Sequence, residues 1–125
     1  MGFPGRQGNS KGKIAVCSFG KRVCPRFDLA HEMLIFEGER THKEHIETVD
    51  VSHSSPERIL NMLMEKEVKA IICGGIQGRF QQMFRQNDIE VIWGVVGEVH
   101  DVMRAYAKGA LHSGFGPLSM PKGSR

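Results

Sequence analysis

No apolar run in the 125 residues approaches the ~20 consecutive residues a membrane span needs. The first residues, MGFPGRQGNSKGK, lack the apolar stretch of a secretory signal. Cysteine is scarce as well. Three residues, Cys17, Cys24 and Cys73, are an odd number and form no C-x-x-C pair, which argues against a secreted disulfide scaffold and against a zinc or ferredoxin motif. A cytoplasmic protein with reduced thiols is expected. Acidic residues are missing from both ends. Residues 1–27 carry six basic side chains and no acid, and residues 111–125 carry Lys122 and Arg125 and no acid. The middle, 28–110, holds nine basic and fourteen acidic residues, so the overall charge of +3 is a basic head on an acidic body. There is no internal repeat.

Familiar catalytic patterns are absent too. The Gly-rich run Cys73-Gly74-Gly75-Ile76-Gln77-Gly78-Arg79 has no Lys-Ser/Thr of a Walker loop and is not a G-x-G-x-x-G fingerprint. There is no G-x-S-x-G elbow. The apolar runs at 14–17 and 70–73 contain no carboxylate, which excludes a nuclease that hangs two metal ions on its central strands.

What is present is the composition of one soluble domain, 40% hydrophobic and 25% charged. Residues 1–12, rich in Gly, Asn, Ser and Pro, are expected to be disordered, and 112–125, with further prolines and glycines, to form a flexible tail. Between them the pattern reads β-β-β-α-β-α-β-α. Strands are expected at 14–17, 33–36, 44–51, 68–73 and 89–93, with residues 18–30 as a loop and Glu37–Arg40 as a hairpin turn. The polar third strand suits a sheet edge. Ser55-Pro56-Glu57 opens the first helix with a cap, a first-turn proline and an acid at the positive end of the dipole. The second helix is expected over 76–86, with Asn87 as its left-handed terminator, and the third over 98–108, ended by Gly109. The βαβ half requires parallel strands with a right-handed crossover, and the short early connections favour an antiparallel meander.

Alternating strand direction gathers chemistry on one sheet edge. Cys17 and Cys73 close strands that should be parallel neighbours, Cys24 lies in the loop leaving the first strand, and His53 follows the third. Ligands of open α/β sheets bind at such an edge, and soft thiolate and imidazole groups suit a transition metal or iron–sulfur species. Plain packing is the competing reading for each cysteine. The turn at Gly74 and Gly75 opens a helix, where free amides and the dipole favour an anion, with Arg79 and Arg26 adding charge.

The stretch IICGGIQGRFQQMFRQNDIEVIWGVVGEVHDVMRAYAKGAL resembles the second half of the dinitrogenase iron–molybdenum cofactor biosynthesis family. The matches are Gly74, Gly75 and Ile76, then Ile89, Val91, Gly94 and Gly97, then Ala105, Tyr106, Gly109 and Leu111. Upstream, Lys13–Val16 resembles the family's opening strand, and Pro25-Arg26-Phe27 with Ala30 its next segment, so the likeness spans about residues 13–111. Asp28 and Leu29 depart from the family's Gly and Arg, and the glycine-rich stretch after the third strand is reduced to His53-Ser54-Ser55. The resemblance implies an α/β, ribonuclease H-like motif: a mixed five-stranded sheet of order 3-2-1-4-5 with three helices. It implies a carrier without catalytic turnover for an iron–molybdenum cofactor or related metal–sulfur cluster, with donor and acceptor proteins as partners and no membrane or nucleic-acid partner. The candidate cluster-binding residues are Arg26, Gly74, Gly75 and Arg79, and the candidate metal ligands Cys24, Cys17, Cys73 and His53. The alternatives are a thiol-dependent enzyme using Cys24 with His53, or a regulatory module that binds a small anion or a protein.

Overall fold

A computed structural model describes residues 12–116, so the expected disorder of the first dozen residues falls almost wholly outside the described part. The central strand β1 (Lys13–Phe19) is buried on both faces, as an apolar run between helix layers must be. A tight turn at Gly20, whose φ of +66° suits a residue without Cβ, folds the chain back into the two-residue strand β2 (Arg22–Val23). A single turn of 3-10 helix follows at Phe27–Leu29. The expected open loop at 18–30 is therefore a compact hairpin and strap, too short for any periodicity to signal.

β3 (Glu32–Glu39) runs antiparallel to β1, and β4 (His42–Asp50) antiparallel to β3. The turn between them is at Arg40-Thr41, not at Glu37–Arg40. Gly38 belongs to the ladder, opposite Lys43, where a Cβ would come within 2.5 Å of the His42 carbonyl oxygen. Its glycine serves a close backbone approach rather than the turn.

α1 (Pro56–Glu65) is capped as expected, with Ser55 Oγ accepting from the Arg58 amide at 3.2 Å. It leads to β5 (Val68–Ile72), then α2 (Gly78–Gln86), β6 (Glu90–Ile92) and α3 (Val99–Ala107). β5 is parallel to β1 and β6 parallel to β5, giving the order β4-β3-β1-β5-β6 with β2 paired to β1 off this path. Counted without the short β2, this is the order 3-2-1-4-5. α2 starts at Gly78, two residues later than expected, and ends at Gln86 as expected, but the left-handed residue is not Asn87: Asn87 has φ −107°, and Asp88, at φ +62°, takes that position while the Ile89 amide reaches back to the Phe84 carbonyl.

Two apolar layers sandwich the sheet. α1 and α2 cover one face with Ile59, Leu60, Leu63 and Phe84, over Ala15, Cys17, Met33 and Ile35. α3 alone covers the other, with Val99 and Val102 over Ile14, Val16 and Ile72. Residues 112–116 do not trail loosely. Phe115 joins this second layer, its carbonyl accepts from the Val96 amide, and the Gly114 amide donates to Trp93. Packing continues past the expected boundary at Leu111 because Phe115 finds an apolar partner.

Candidate functional site

The upper edge of the sheet, at the carboxyl ends of β1, β5 and β6, is extended by a strap. Residues 24–26 run beside 73–75, which run beside 92–94. Cys24 donates its amide to Cys17 O at 2.9 Å, Gly74 to Cys24 O at 3.1 Å, Gly75 to Pro25 O at 2.7 Å and Phe27 to Gly75 O at 2.8 Å. Gly94 donates to Gly74 O at 2.8 Å. Phe27 anchors the strap, 2% exposed and meeting Phe84 edge-on at 5.6 Å.

This arrangement corrects the expected role of the glycines. Gly74 and Gly75 do not offer free amides to an anion, because both N–H groups already bond to strap carbonyls. At Gly74 the strap passes too close for any side chain: a Cβ would press against the Pro25 carbonyl oxygen and sit 2.5 Å from that of Cys24. The unfilled donors lie further along. α2 begins with Gln77 as its cap residue and no side-chain cap bond, and Phe80 and Gln81 bond to the Gln77 carbonyl, so the first-turn orphans are the amides of Gly78 and Arg79.

Between strap and helix lies a cleft of about 240 Å³, lined by Arg26, Phe27, Asp28, Ile76, Gln77 and Phe80 among others. Arg26 forms an exposed ion pair with Asp28 at 2.9 Å. Arg79 stands just inside the helix, its guanidinium 4.7 Å from the Phe80 ring centroid and its Nε donating to Gln77 Oε1 at 3.1 Å. Asp28, which stands out in the sequence as a departure from the family's Gly, lies in this lining, whereas the spacing of Phe80 marks it only as a core residue of the helix. A larger cavity, about 560 Å³, opens at the opposite edge among Lys13, Glu37, Glu67, Lys69 and Asp88. It mixes charges of both signs and lies away from the carboxyl ends where such sheets bind ligands.

The three thiols do come together, but inside the protein. Cys17 and Cys73 are fully buried and Cys24 is 1% exposed, all in the apolar layer beneath the strap. Cys24, expected in the loop leaving the first strand, is thus turned inward; its Sγ donates to the Arg26 carbonyl at 3.1 Å. Burial pushes the Cys17 thiol well above its ordinary range, reinforced by its hydrogen bond with Cys73 and by the neighbouring Cys73 and Cys24. A neutral, dry thiol packs well and ligates poorly.

His53 is exposed beyond the end of β4. It reaches the same edge as the cysteines but not the same place, since β3 lies between β4 and β1, a separation of roughly 10 Å from two strand spacings. It neighbours Asp50, whose carboxyl is held below its usual range mainly by hydrogen bonds from Ser52. Among the described residues no group of three or more His, Cys, Asp or Glu side chains is placed to hold a metal ion. No described helix is long and apolar enough to cross a membrane.

The profile of the dinitrogenase iron-molybdenum cofactor family matches residues 11–109. Solved structures share the fold. The crystal structure of PH0822 is 21% identical with a TM-score of 0.74, over 86% of this chain and 99% of that one. The apo form of the orange protein from Desulfovibrio gigas is 19% identical, TM-score 0.66, over 82% and 92%. A Thermotoga protein assigned to the DUF35 family is 21% identical, TM-score 0.66, over the same shares. No curated protein matches.

Proposed function

Because the chain belongs to the dinitrogenase iron-molybdenum cofactor family, we propose that it is a cytoplasmic carrier for an anionic metal–sulfur cluster, the iron–molybdenum cofactor or a relative, which it passes between donor and acceptor proteins without catalytic turnover. The observation that carries this reading is the cleft at the start of α2, lined by Arg26, Gln77 and Phe80, with the uncapped first turn of the helix beside it and the Arg79 guanidinium 4.7 Å from the Phe80 ring centroid. A helix N-terminus and guanidinium groups stabilise an anion without a covalent bond. Such a hold suits cargo that must be released. The buried thiols support the fold beneath the cleft, so the cluster is held by arginines and amides rather than by Cys17, Cys24, Cys73 or His53.

The same burial weighs against a hydrolase or transferase built on Cys24, whose sulfur has no exposed face for an electrophile and whose proton is shared with the Arg26 carbonyl. A regulatory module for a small anion would use the same cleft, and is separated by the stoichiometry of bound metal and sulfide.

The test is anaerobic reconstitution with a cluster donor, followed by metal and sulfide analysis. Arg26→Glu and Arg79→Glu should each lower affinity for the cluster by about tenfold or more. Cys24→Ser and His53→Ala should load as the parent does. Asp28→Asn should load more tightly, since it frees Arg26 and removes a carboxylate from an anion site. Full loading of both arginine variants, or loss of loading in Cys24→Ser with its fold intact, overturns the reading.

A further inference from the structure

The face of the sheet covered by α3 carries a second groove. Two helices cover one face and a single helix the other, so β3 and β4 are left partly open beside α3. The groove holds about 270 Å³, near the lower end of the roughly 300–1,000 Å³ typical of small-molecule sites. Phe36, Val99, Met103 and Tyr106 give it an apolar and aromatic wall. The charged residues lining it, Arg40, Lys43 and Arg104, are all cationic, and His42 and His100 join them.

The cations are built in rather than scattered. Arg40 stacks over the Tyr106 ring at 5.0 Å from its centroid. Lys43 donates to the carbonyls of Gly12 at 2.6 Å and Gly38 at 2.7 Å, which fixes its ammonium 6.0 Å from the same ring. Burial and the charge of Arg40 hold Lys43 below the ordinary lysine range, a repulsion that a bound anion relieves. Acids flank the groove without lining it: Asp101 is 3.8 Å from Arg104 and Glu44 is 3.4 Å from His42, both exposed, while the charges of Glu39 and Glu37 act on Lys43 and that of Glu90 on Tyr106. The ends of the chain outside the described residues contain no acid, so they do not complement the groove.

We propose that this groove is a second binding site, separate from the cluster cleft, for a small anion with a planar aromatic body, of the class of a mononucleotide. The base lies against Phe36 and Met103, beside the stacked pair of Arg40 and Tyr106, and the phosphate meets the guanidinium groups of Arg40 and Arg104. Planar guanidinium groups match phosphate geometry in pairs, and a base stacks on aromatic and sulfur-bearing surface. The site lies across the sheet from Arg26 and Arg79, so its occupancy does not depend on the cluster reading.

The experiment is titration of the full chain with adenosine monophosphate, adenosine and inorganic phosphate by calorimetry, with amide chemical shifts followed by NMR. The nucleotide should bind, with adenosine and phosphate each weaker by about tenfold or more. Shifts should concentrate at 36–43 and 99–107. Arg40→Glu with Arg104→Glu should lower nucleotide affinity by about tenfold or more, while Arg26→Glu with Arg79→Glu leaves it unchanged. Both double variants change exposed residues, and a thermal melt verifies their folding. The proposal fails if the nucleotide does not bind, if phosphate binds as well as the nucleotide, or if the shifts fall elsewhere.

Discussion

Replacing Gly74 by alanine isolates the strap from everything else in the fold. The position has an ordinary φ, so the conformation itself costs nothing; the obstacle is space. An added Cβ overlaps the Pro25 and Cys24 carbonyl oxygens, both backbone atoms that no rotamer change can move. Residues 24–26 must lift away. That stretches or breaks the bonds from Gly74 to Cys24, from Gly75 to Pro25 and from Phe27 to Gly75. At a net contribution of about 1 kcal/mol each, these account for about 3 kcal/mol. Phe27 also loses part of a burial that contributes about 1.5–3 kcal/mol when complete. The expected loss is therefore about 3–5 kcal/mol, out of a total stability of about 5–15 kcal/mol for a domain of this kind. Urea unfolding followed by circular dichroism gives the number directly. Gly75→Ala is the control, because its Cβ would meet Pro25 O at an ordinary 3.5 Å, and it should cost less than about 1 kcal/mol. Equal losses at the two positions would refute the steric argument, and a loss below about 1 kcal/mol at Gly74 would show that the strap is not held as described.

Two further outcomes test the core. Ser18 is fully buried at the end of β1, and its Oγ has no hydrogen-bond partner among the described residues. Ser18→Ala should then be neutral or stabilise by about 1 kcal/mol in the same unfolding assay, and a destabilisation beyond about 1 kcal/mol would mean the hydroxyl is satisfied. The raised pKa of Cys17 sets the alkaline behaviour. Below about pH 8.5 the thiol is protonated in both folded and unfolded chains; above it the unfolded chain releases the proton and the folded one keeps it, so stability falls as pH rises, by up to about 1.4 kcal/mol per pH unit from this group. Under reducing conditions Cys17→Ala should flatten that decline between about pH 8.5 and 10, and an unchanged slope would remove Cys17 as its source.

The sheet was legible because its signals are long. The apolar runs at 14–17 and 70–73 suit only strands buried on both faces, the polar 44–51 suits only an edge, and Ser55-Pro56 opens a helix by its own chemistry. The connections were less legible, because a two-residue strand and a single 3-10 turn carry no period. Gly38 marked a turn by type when its purpose is a close approach inside the ladder, and Asp88 rather than Asn87 takes the left-handed angle because the Ile89 amide fixes where α2 closes. At the site, sequence placed Cys17, Cys24 and Cys73 at one edge but could not say on which side of the strap their sulfurs lie. That depends on Phe27 docking against Phe84, a contact across more than fifty residues.

The strap explains why the residues with the most conspicuous chemistry are not the ones that face solvent. Where the segment 24–26 runs beside 73–75, the carbonyls of Cys24 and Pro25 take the amides of Gly74 and Gly75. Once they are used, those glycines are structural. The same crossing closes over Cys17 and Cys73 and turns Cys24 inward, where its sulfur meets the Arg26 carbonyl. It also fixes the backbone of Arg26 against Gly75, with its side chain outward and 62% exposed. Burying the thiols and presenting the arginine are thus one geometric event. A variant that fills the thiol positions with apolar groups of similar size keeps the strap, the cleft and the arginine, whereas a variant that opens the strap loses all three together. The cleft therefore tolerates loss of the buried sulfurs and not loss of the space at Gly74.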